Sequence, residues 1–387
     1  MVPSNPIGQK QLLLHLDSLA KNSRIASTYM LVGQEGVGII SIALAFINSI
    51  LRSALGKGSD AARAATSKID SLSHPDLHFS FPVNTNDKIK KDPVSNDFLE
   101  DWREMLFHSA YFSLHDWYKK IRIGNKQGVI SAKEAEKISK TMSLKSYEGG
   151  YKFLIIWMAE KMNPSASNKL LKLLEEPPEK TVFLLLCENE AAVLGTIRSR
   201  CQKIDVGPIA SEDLVFELKN SFETKGVVAE EIAKKARGNY RAARLLIEGQ
   251  GVAKENVEDF VSWVRLAFRV KTSKKAVGEL VSFSEAMAKK TREDQKAFLR
   301  SSLSIFRKSL LFNYAVERSE VGFENGFSLE KFAPFVHENN IVEIQDEVQS
   351  AYDNIERNGN SKIIFLDTSI KLTRLLHIKP SDANKKE

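Results

Sequence analysis

The chain has 387 residues, of which 43% are apolar and 27% are charged, and its formal net charge is +7. This length predicts two or three domains, and without an apolar run of about 20 residues or an N-terminal secretion signal we expect a cytoplasmic protein with no membrane partner. Its two cysteines argue against a disulfide framework and cannot make a tetrahedral zinc set, so no metal and no other cofactor is expected.

The first informative element is an apolar strand that leads into a glycine-rich loop. Gly33, Gly36 and Gly38 have the spacing of a phosphate-binding loop, whose working form is G-x-x-x-x-G-K-[ST]. That chemistry needs Lys to reach the phosphates and Ser or Thr to hold Mg²⁺, but Ile39 and Ile40 occupy these two positions. The sequence thus predicts a phosphate-binding scaffold that lacks its phosphate-binding side chains. The alternative is a glycine turn required for backbone reasons alone.

Residues 84–129 form a long segment rich in Asp, Lys and aromatic residues. Its aromatic residues include Trp102, Phe107, Tyr111, Phe112 and Trp117. We interpret the segment as an insertion or elaborated loop that folds as a small helical patch, and a partner surface is the alternative. Ser131 follows with capping-box spacing to Glu134, which predicts a helix that reaches about Leu144.

The apolar run at 152–157 has the character of a buried strand. In P-loop ATPases such a strand ends in an acidic residue that holds Mg²⁺. Here it ends in Trp157 and Met158, so the metal-linked carboxylates are missing together with the lysine and the hydroxyl. We interpret Glu160, the nearest carboxylate, as a solvated or capping residue and not as a catalytic one. These four losses at matched positions indicate a degenerate nucleotide site.

Five apolar runs predict strands, and helices separate them along the chain. The strands are expected near 28–32, 77–81, 152–157, 181–187 and 203–206. This alternation predicts an α/β fold in which helices cover both faces of a largely parallel sheet. One helix, Ser41 to Leu51, follows the glycine loop, and another begins after Asn163, an N-cap followed by proline.

Beyond Pro208 the amphipathic spacing predicts helices only. Three short segments are expected to form a helical lid: Ser211–Lys225, Ala229–Arg237 and Tyr240–Glu248. Five longer segments predict a helical bundle: Glu258–Val270, Lys275–Lys290, Arg292–Arg318, Ile341–Arg357 and Ser361–His377. We therefore divide the chain into an α/β core at 1–207, a lid at 208–250 and an all-α domain at 251–387.

Five stretches stand close together between 147 and 204: Tyr147–Ile156, Ala159–Asn163, Ser167–Pro178, Thr181–Leu186 and Thr196–Gln202. This part of the chain resembles bacterial clamp-loader AAA+ subunits, and its last stretch is similar to the family's SRC motif. The resemblance covers Gly8 to about Ile247 and implies an AAA+ P-loop core followed by a lid and a collar domain. Motor subunits of this family hydrolyse ATP, whereas delta-prime subunits keep the fold and need no working nucleotide site. The losses described above point to the delta-prime type.

The resemblance also implies roles for two arginines. Ser199, Arg200 and Cys201 match the SRC motif residue by residue, which implies that Arg200 serves a neighbouring ATPase subunit as an arginine finger in trans. The alternative is an ordinary arginine that pairs with a local carboxylate. Arg241 stands where related lids carry a nucleotide-sensing arginine, with lid–core contact or solvation as its alternative roles. Cys187 takes the place of a polar sensor residue, which is one more loss.

The function implied by the resemblance is that of a non-hydrolysing subunit of the DNA polymerase III clamp loader, which helps load the sliding clamp onto primed DNA during replication. Expected partners are the ATPase subunits and the clamp-opening subunit, joined through the C-terminal domain. The sliding clamp and primer-template DNA are contacted indirectly or weakly. An active ATPase motor subunit and a non-replicative scaffold remain alternatives. The four-cysteine zinc module of many family members is missing between Leu51 and Ser73, where Ser59, Ala62 and Ala65 have the spacing of such a set.

Overall fold

A computed structural model describes residues 4–22, 25–148, 150–222, 226–248, 254–314, 322–323 and 327–380. The chain divides into two compact units, Met1–Gly249 and Gln250–Glu387. The predicted separation of the first unit into core and lid stays a prediction. Across the described residues, no helix combines the length and the apolar character that a bilayer crossing requires.

The first unit is built on a five-stranded parallel sheet. Its strands are β1 (Thr28–Gly33), β2 (Leu77–Ser80), β3 (Lys152–Trp157), β4 (Thr181–Cys187) and β5 (Gln202–Val206). They lie in the order β2-β3-β4-β1-β5, and all neighbours are parallel. All five predicted strands are confirmed. The carboxyl ends of parallel strands meet at one edge, and a crevice opens there beside β1, where the strand order reverses.

Helices cover both faces of this sheet, as the α/β prediction requires. The helices are α1 (Lys10–Lys21), α2 (Ile39–Leu55), α3 (Asp60–Asp70), α4 (Leu99–His108), α5 (Leu114–Lys120), α6 (Ala132–Ser143), α7 (Pro164–Glu175), α8 (Gly195–Arg198), α9 (Ser211–Phe222), α10 (Gly226–Ala236) and α11 (Tyr240–Ile247). Alternate strand residues face opposite sides, so Tyr29 and Leu31 share a core with α2. Met30 shares the other core with α6 and α7.

The helix starts that the sequence predicts at Asn163 and Ser131 are confirmed in position. The Asn163 side chain accepts the N–H of Ala166 at 2.7 Å, and Pro164 is the first residue of α7. Ser131 caps α6 by accepting the N–H of Glu134 at 3.3 Å. The predicted capping box is only half formed, however, because the buried Glu134 carboxylate accepts the N–H of Ser95 at 2.9 Å instead. This hydrogen bond ties the 84–129 segment to the core.

The 84–129 segment is a helical patch, formed by a 3₁₀ turn (Ser95–Phe98) followed by α4 and α5. Of the five aromatic residues named above for this segment, four are buried, namely Trp102, Tyr111, Phe112 and Trp117. They belong to the core of α2 and the sheet. The partner-surface alternative is therefore wrong for these four rings. Phe107 is 45% exposed and is the exception.

The second unit is mainly helical and has its own core, centred on Phe260, Trp263, Phe298 and Phe306. Its elements are α12 (Lys254–Arg269), α13 (Lys274–Lys289), α14 (Arg292–Asn313), β6 (Gly322–Phe323), β7 (Phe327–Ser328), α15 (Leu329–Phe332), α16 (Ile341–Glu356) and α17 (Ser361–Leu375). The prediction of helices only missed the antiparallel pair β6–β7. The predicted helix to Arg318 ends at Asn313, and residues 315–318 lie outside the described part of the chain.

Candidate functional site

The glycine-rich loop joins β1 to α2 at the carboxyl edge of the sheet, and α2 starts at Ile39, two residues before the predicted Ser41. Gly36 and Gly38 have φ angles of 78° and 85°, which side-chain-bearing residues rarely adopt. Neighbouring side chains also occupy the space that a Cβ atom would need at these two positions. A Cβ on Gly38 would lie 2.5 Å from Tyr111 Cε1, and one on Gly36 would lie 1.9 Å from Asn239 Oδ1. Both glycines are therefore required by packing within this chain.

The crevice beside this loop is filled by the chain's own side chains. Its walls include Ile39, Ile40, Tyr111, Phe112, Trp157 and Met158, together with backbone of Gly33, Gly36 and Gly38. The Phe112 ring meets the Trp157 ring edge-on, with 5.1 Å between the ring centroids. The volume left for the centre of a water molecule is about 20 Å³. Such a cavity holds about one water molecule.

The described lining of the crevice carries acidic side chains and no basic one. Among the described residues that line it none is Lys or Arg, whereas Glu35 and Glu188 are acidic. Phosphate oxygens are bound by cationic donors, such as the loop lysine that Ile39 replaces. Cys187 lies at the end of β4, where burial raises the pKa of its thiol to about 12. The thiol is therefore neutral at physiological pH.

Glu160 lies in a 3₁₀ turn (Ala159–Lys161) just after β3 and is not among the described lining residues of the crevice. Its Oε1 accepts the N–H groups of Glu188 at 2.9 Å and Asn189 at 3.3 Å. Burial raises the pKa of Glu160. Neither role inferred from the sequence is observed, because the carboxylate is largely buried and its two N–H partners belong to the loop that follows β4 and not to the first turn of a helix.

Arg241 of α11 lies between two carboxylates of the core. Its Nε and Nη2 donate to the two oxygens of Asp116, at 2.5 and 2.8 Å, and its Nη1 donates to Glu35 Oε1 at 3.0 Å. Burial would raise the pKa of Asp116, but the hydrogen bond and charge of Arg241, together with Ser113, lower it to about 2. We call Arg241, Asp116 and Glu35 the latch. Carboxylate and phosphate oxygens offer an arginine guanidinium the same kind of partner.

Asn239 gives the latch a second attachment point on the glycine loop. Its Nδ2 donates to the carbonyl oxygen of Glu35 at 2.8 Å, while its Oδ1 caps α11 by accepting the N–H of Ala242 at 2.8 Å. The N–H of Tyr240 donates to the carbonyl oxygen of Gly36 at 3.0 Å. The start of α11 is thus hydrogen-bonded directly to the loop backbone.

Substituting Arg241 with Met is expected to destabilise the first unit by about 2 kcal/mol, because two partly buried carboxylates lose their partner. For a unit of this size, that corresponds to a melting temperature lower by about 4 to 8 °C. Differential scanning calorimetry measures the change. Arg52→Met removes an exposed arginine of α2 and is the matched control. Equal shifts for the two variants would contradict a stabilising latch.

Because of the latch, we also expect the free energy of unfolding to depend on pH. The pKa of Asp116 falls from 3.8 to about 2 in the folded chain, so folding favours the ionised carboxylate. Its contribution of about 2 kcal/mol is complete above about pH 4 and is lost as the pH falls through about 2. The free energy of unfolding of wild type and Asp116→Asn should therefore converge as the pH falls through this range. A difference that stays constant down to that pH would rule out the linkage.

Arg200 lies on the surface between α8 and β5. Its Nη2 pairs with the Glu175 carboxylate, and its Nη1 donates to the carbonyl oxygen of Thr196 at 2.6 Å. The local ion pair considered as the alternative role is therefore present within this chain. Exposed pairs of this kind contribute about 0 to 1 kcal/mol, so exchanging Glu175 for another anion costs little. Ser199 is also exposed, and burial raises the pKa of the neighbouring Cys201 to about 11.

The interval where family members carry zinc ligands contains helix α3. Ser59 caps it by accepting the N–H of Ala62 at 3.1 Å, and Ala62 and Ala65 pack inward. His74 is a buried loop residue whose Nδ1 accepts the N–H of Asp76 at 3.1 Å. Within the described ranges, no group of three or more His, Cys, Asp or Glu residues is arranged to hold a metal ion.

The residues that sequence reasoning missed are Tyr111, Phe112, Asp116, Glu35 and Asn239. Each acts through a partner far away in sequence. One local signal was available, because Ser113 and Asp116 form a capping box at the start of α5. That spacing marks a helix start next to the densest aromatic stretch of the segment. It does not show that the segment closes over the glycine loop.

Comparison with known proteins places this site in a family. A family model described as "DNA polymerase III, delta subunit" matches residues 8–210. A DNA polymerase III subunit delta' from Yersinia pestis is 42% identical over 88 residues, which are 22% of this chain and 25% of that protein. The Bacillus subtilis subunit delta' is 28% identical over 218 residues, covering 55% of this chain and 52% of the relative. The chain thus spans about half the length, or less, of these curated relatives.

Among solved structures, a DNA polymerase III gamma subunit-related protein from Thermotoga maritima aligns over 94% of this chain and 99% of its own, with 16% identity. Its TM-score is 0.39, so nothing further is concluded from it. The family model alone covers more than half of the residues, including the glycine loop, β3 and the SRC motif. The chain therefore belongs to the DNA polymerase III delta-subunit family and is a clamp-loader delta-prime-like protein.

Proposed function

We propose that this chain is a non-hydrolysing subunit of the DNA polymerase III clamp loader, which helps load the sliding clamp onto primed DNA. The observation that carries the proposal is the filled crevice, where about 20 Å³ remains between Ile39, Ile40, Phe112 and Trp157. The latch supports it as well. Arg241 already has carboxylate partners, so the chain's own side chains fasten the lid to the glycine loop and to α5.

The second part of the proposal concerns Arg200. We infer that it leaves Glu175 in the assembled loader and approaches the γ-phosphate in a neighbouring ATPase subunit. Its exposure and the low cost of breaking a surface ion pair support this exchange. The arginine would then stabilise the charge that develops on the transferred phosphoryl group, while this chain hydrolyses nothing itself.

The third part concerns assembly through the second unit. Helices α16 and α17 expose apolar side chains, with Val342, Ile363 and Ile370 exposed by 64%, 65% and 58%. Ile363 and Ile370 are two turns apart on one face of α17. We propose that this face joins the ATPase and clamp-opening subunits in a cytoplasmic hetero-oligomer. Contacts with the sliding clamp and DNA are then indirect or weak.

Two measurements separate this proposal from its alternatives. The isolated full chain is expected to show no ATP hydrolysis above background, and it should capture the ATPase and clamp-opening subunits of its own organism in a pull-down. Hydrolysis by the isolated chain would make it a motor subunit. If it captures neither subunit, it is a scaffold outside replication. Double substitution of Ile363 and Ile370 with Glu should abolish capture without changing the melting temperature.

A further inference from the structure

A second concave feature lies in the 84–129 segment, outside the filled crevice. The loop after β2 and the loop after α5 face each other across an open cavity of about 400 Å³. Lys90, Arg122 and Lys126 line it, and Asp87 is the acidic residue among its described lining. We call these three basic residues the basic groove. Their side chains bring more positive than negative charge to one shallow surface.

The walls of the groove are held by specific hydrogen bonds. Asn86 Nδ2 donates to the carbonyl oxygen of Ile121 at 2.9 Å, which joins one loop to the other. Lys126 Nζ donates to the carbonyl oxygen and the hydroxyl of Thr85 at 2.9 and 2.7 Å. Ile121 and Ile123 are buried beneath. The two loops therefore form one fixed surface.

The positive charges are only weakly neutralised. Lys90 Nζ lies 3.5 Å from Asp87, and both side chains are largely exposed, so this pair contributes little. Arg122 is exposed and has a φ of 52°, a conformation that costs a non-glycine residue of order 1 kcal/mol or more. Lys88 and Lys91 are exposed on either side of Lys90 and extend the positive surface.

We propose that the basic groove binds backbone phosphates of duplex DNA without reading its sequence. Lysine and arginine are the side chains that contact phosphates, and such contacts position a protein on DNA without reading bases. Single-stranded nucleic acid is bound through aromatic side chains that stack on bases, and none occurs among the described lining residues. The choice of DNA over a free phosphate rests on the proposed function, in which the chain works beside primed DNA.

The test is fluorescence anisotropy of a labelled DNA duplex titrated with the isolated full chain over a series of salt concentrations. A triple variant, Lys90→Ala, Arg122→Ala and Lys126→Ala, removes the groove charges. Its matched control, Lys137→Ala, Lys140→Ala and Lys145→Ala, removes three charges from α6 and the segment after it. We expect the groove variant to lose affinity at least tenfold and its salt slope to fall by about 2 to 3, with less than half of that loss in the control.

A single charge reversal, Arg122→Glu, leaves the hydrogen bonds of Lys126 intact and should also weaken binding. This second variant separates loss of charge from loss of the fold. Equal weakening by the groove and control variants would overturn the proposal. Complete displacement of the duplex by inorganic phosphate, at a concentration equal to that of the DNA phosphate groups, would also overturn the proposal. It would indicate a site for free anions. All variants keep Arg200, so failure here is distinct from failure of the proposed finger role.

Discussion

Replacing Arg200 with Ala will lower ATP turnover at the neighbouring subunit's site by about 10³-fold or more, if the arginine acts there as a finger in trans. The guanidinium would no longer offset the charge that spreads over the transferred phosphoryl oxygens. Turnover should be measured in a reconstituted loader whose other ATPase sites carry inactivating substitutions. Size-exclusion chromatography establishes that the complex still assembles.

Glu175 provides the control that separates the two roles of Arg200. If the arginine matters only as the local partner of Glu175, then Glu175→Gln should damage turnover as much as Arg200→Ala. If it acts in trans, Glu175→Gln should leave turnover unchanged, because it frees the guanidinium. Arg200→Lys keeps the charge without the planar fork and should fall between the two. Normal turnover of an intact complex that carries Arg200→Ala would move the finger role to another residue.

Replacing Trp102 with Ala is expected to destabilise the first unit by about 3 to 5 kcal/mol. Trp102 is fully buried, with its ring centroid 4.2 Å from that of Phe81 and 5.2 Å from those of Trp117 and Trp157. Its removal opens a cavity behind the residues that fill the crevice. The free energy of unfolding is measured from the urea transition of the first unit.

Two variants sharpen that experiment. Phe107→Ala removes an exposed ring of the same helix and should change the free energy of unfolding by about 0.5 kcal/mol or less. Trp102→Phe keeps a ring and removes an indole N–H that has no partner, so it should cost less than Trp102→Ala. A loss for Trp102→Ala as small as that for Phe107→Ala would show that the aromatic cluster does not support the site.

The sheet could be predicted from sequence because its signals are local. Each strand is a short apolar run, and a central parallel strand is buried on both faces, so the run is continuous and clearly bounded. Asn163 and Pro164 similarly mark a helix start within two residues. The losses at Ile39, Ile40, Trp157 and Met158 could be read for the same reason, since each position is fixed by a neighbouring strand or glycine.

What fills the site could not be predicted, because it depends on contacts between distant parts of the chain. Tyr111 packs on Gly38, and Asp116 pairs with Arg241, although no periodic pattern connects these positions. Glu134 shows the limit of a local signal. Its spacing to Ser131 marks the helix start, but its carboxylate accepts the N–H of Ser95 instead of completing the capping box. Four aromatic residues of the 84–129 segment, for which a partner surface was the alternative, instead complete the core.

The central claim is that this chain serves a neighbour's nucleotide and binds none of its own. Photo-crosslinking of azido-ATP in the assembled loader tests it most directly, with the labelled peptides of every subunit identified by mass spectrometry. We predict label on the ATPase subunits and none on this chain at ATP concentrations that saturate the complex. Label on this chain around Gly36 or Trp157, saturating together with the motor subunits, would contradict it.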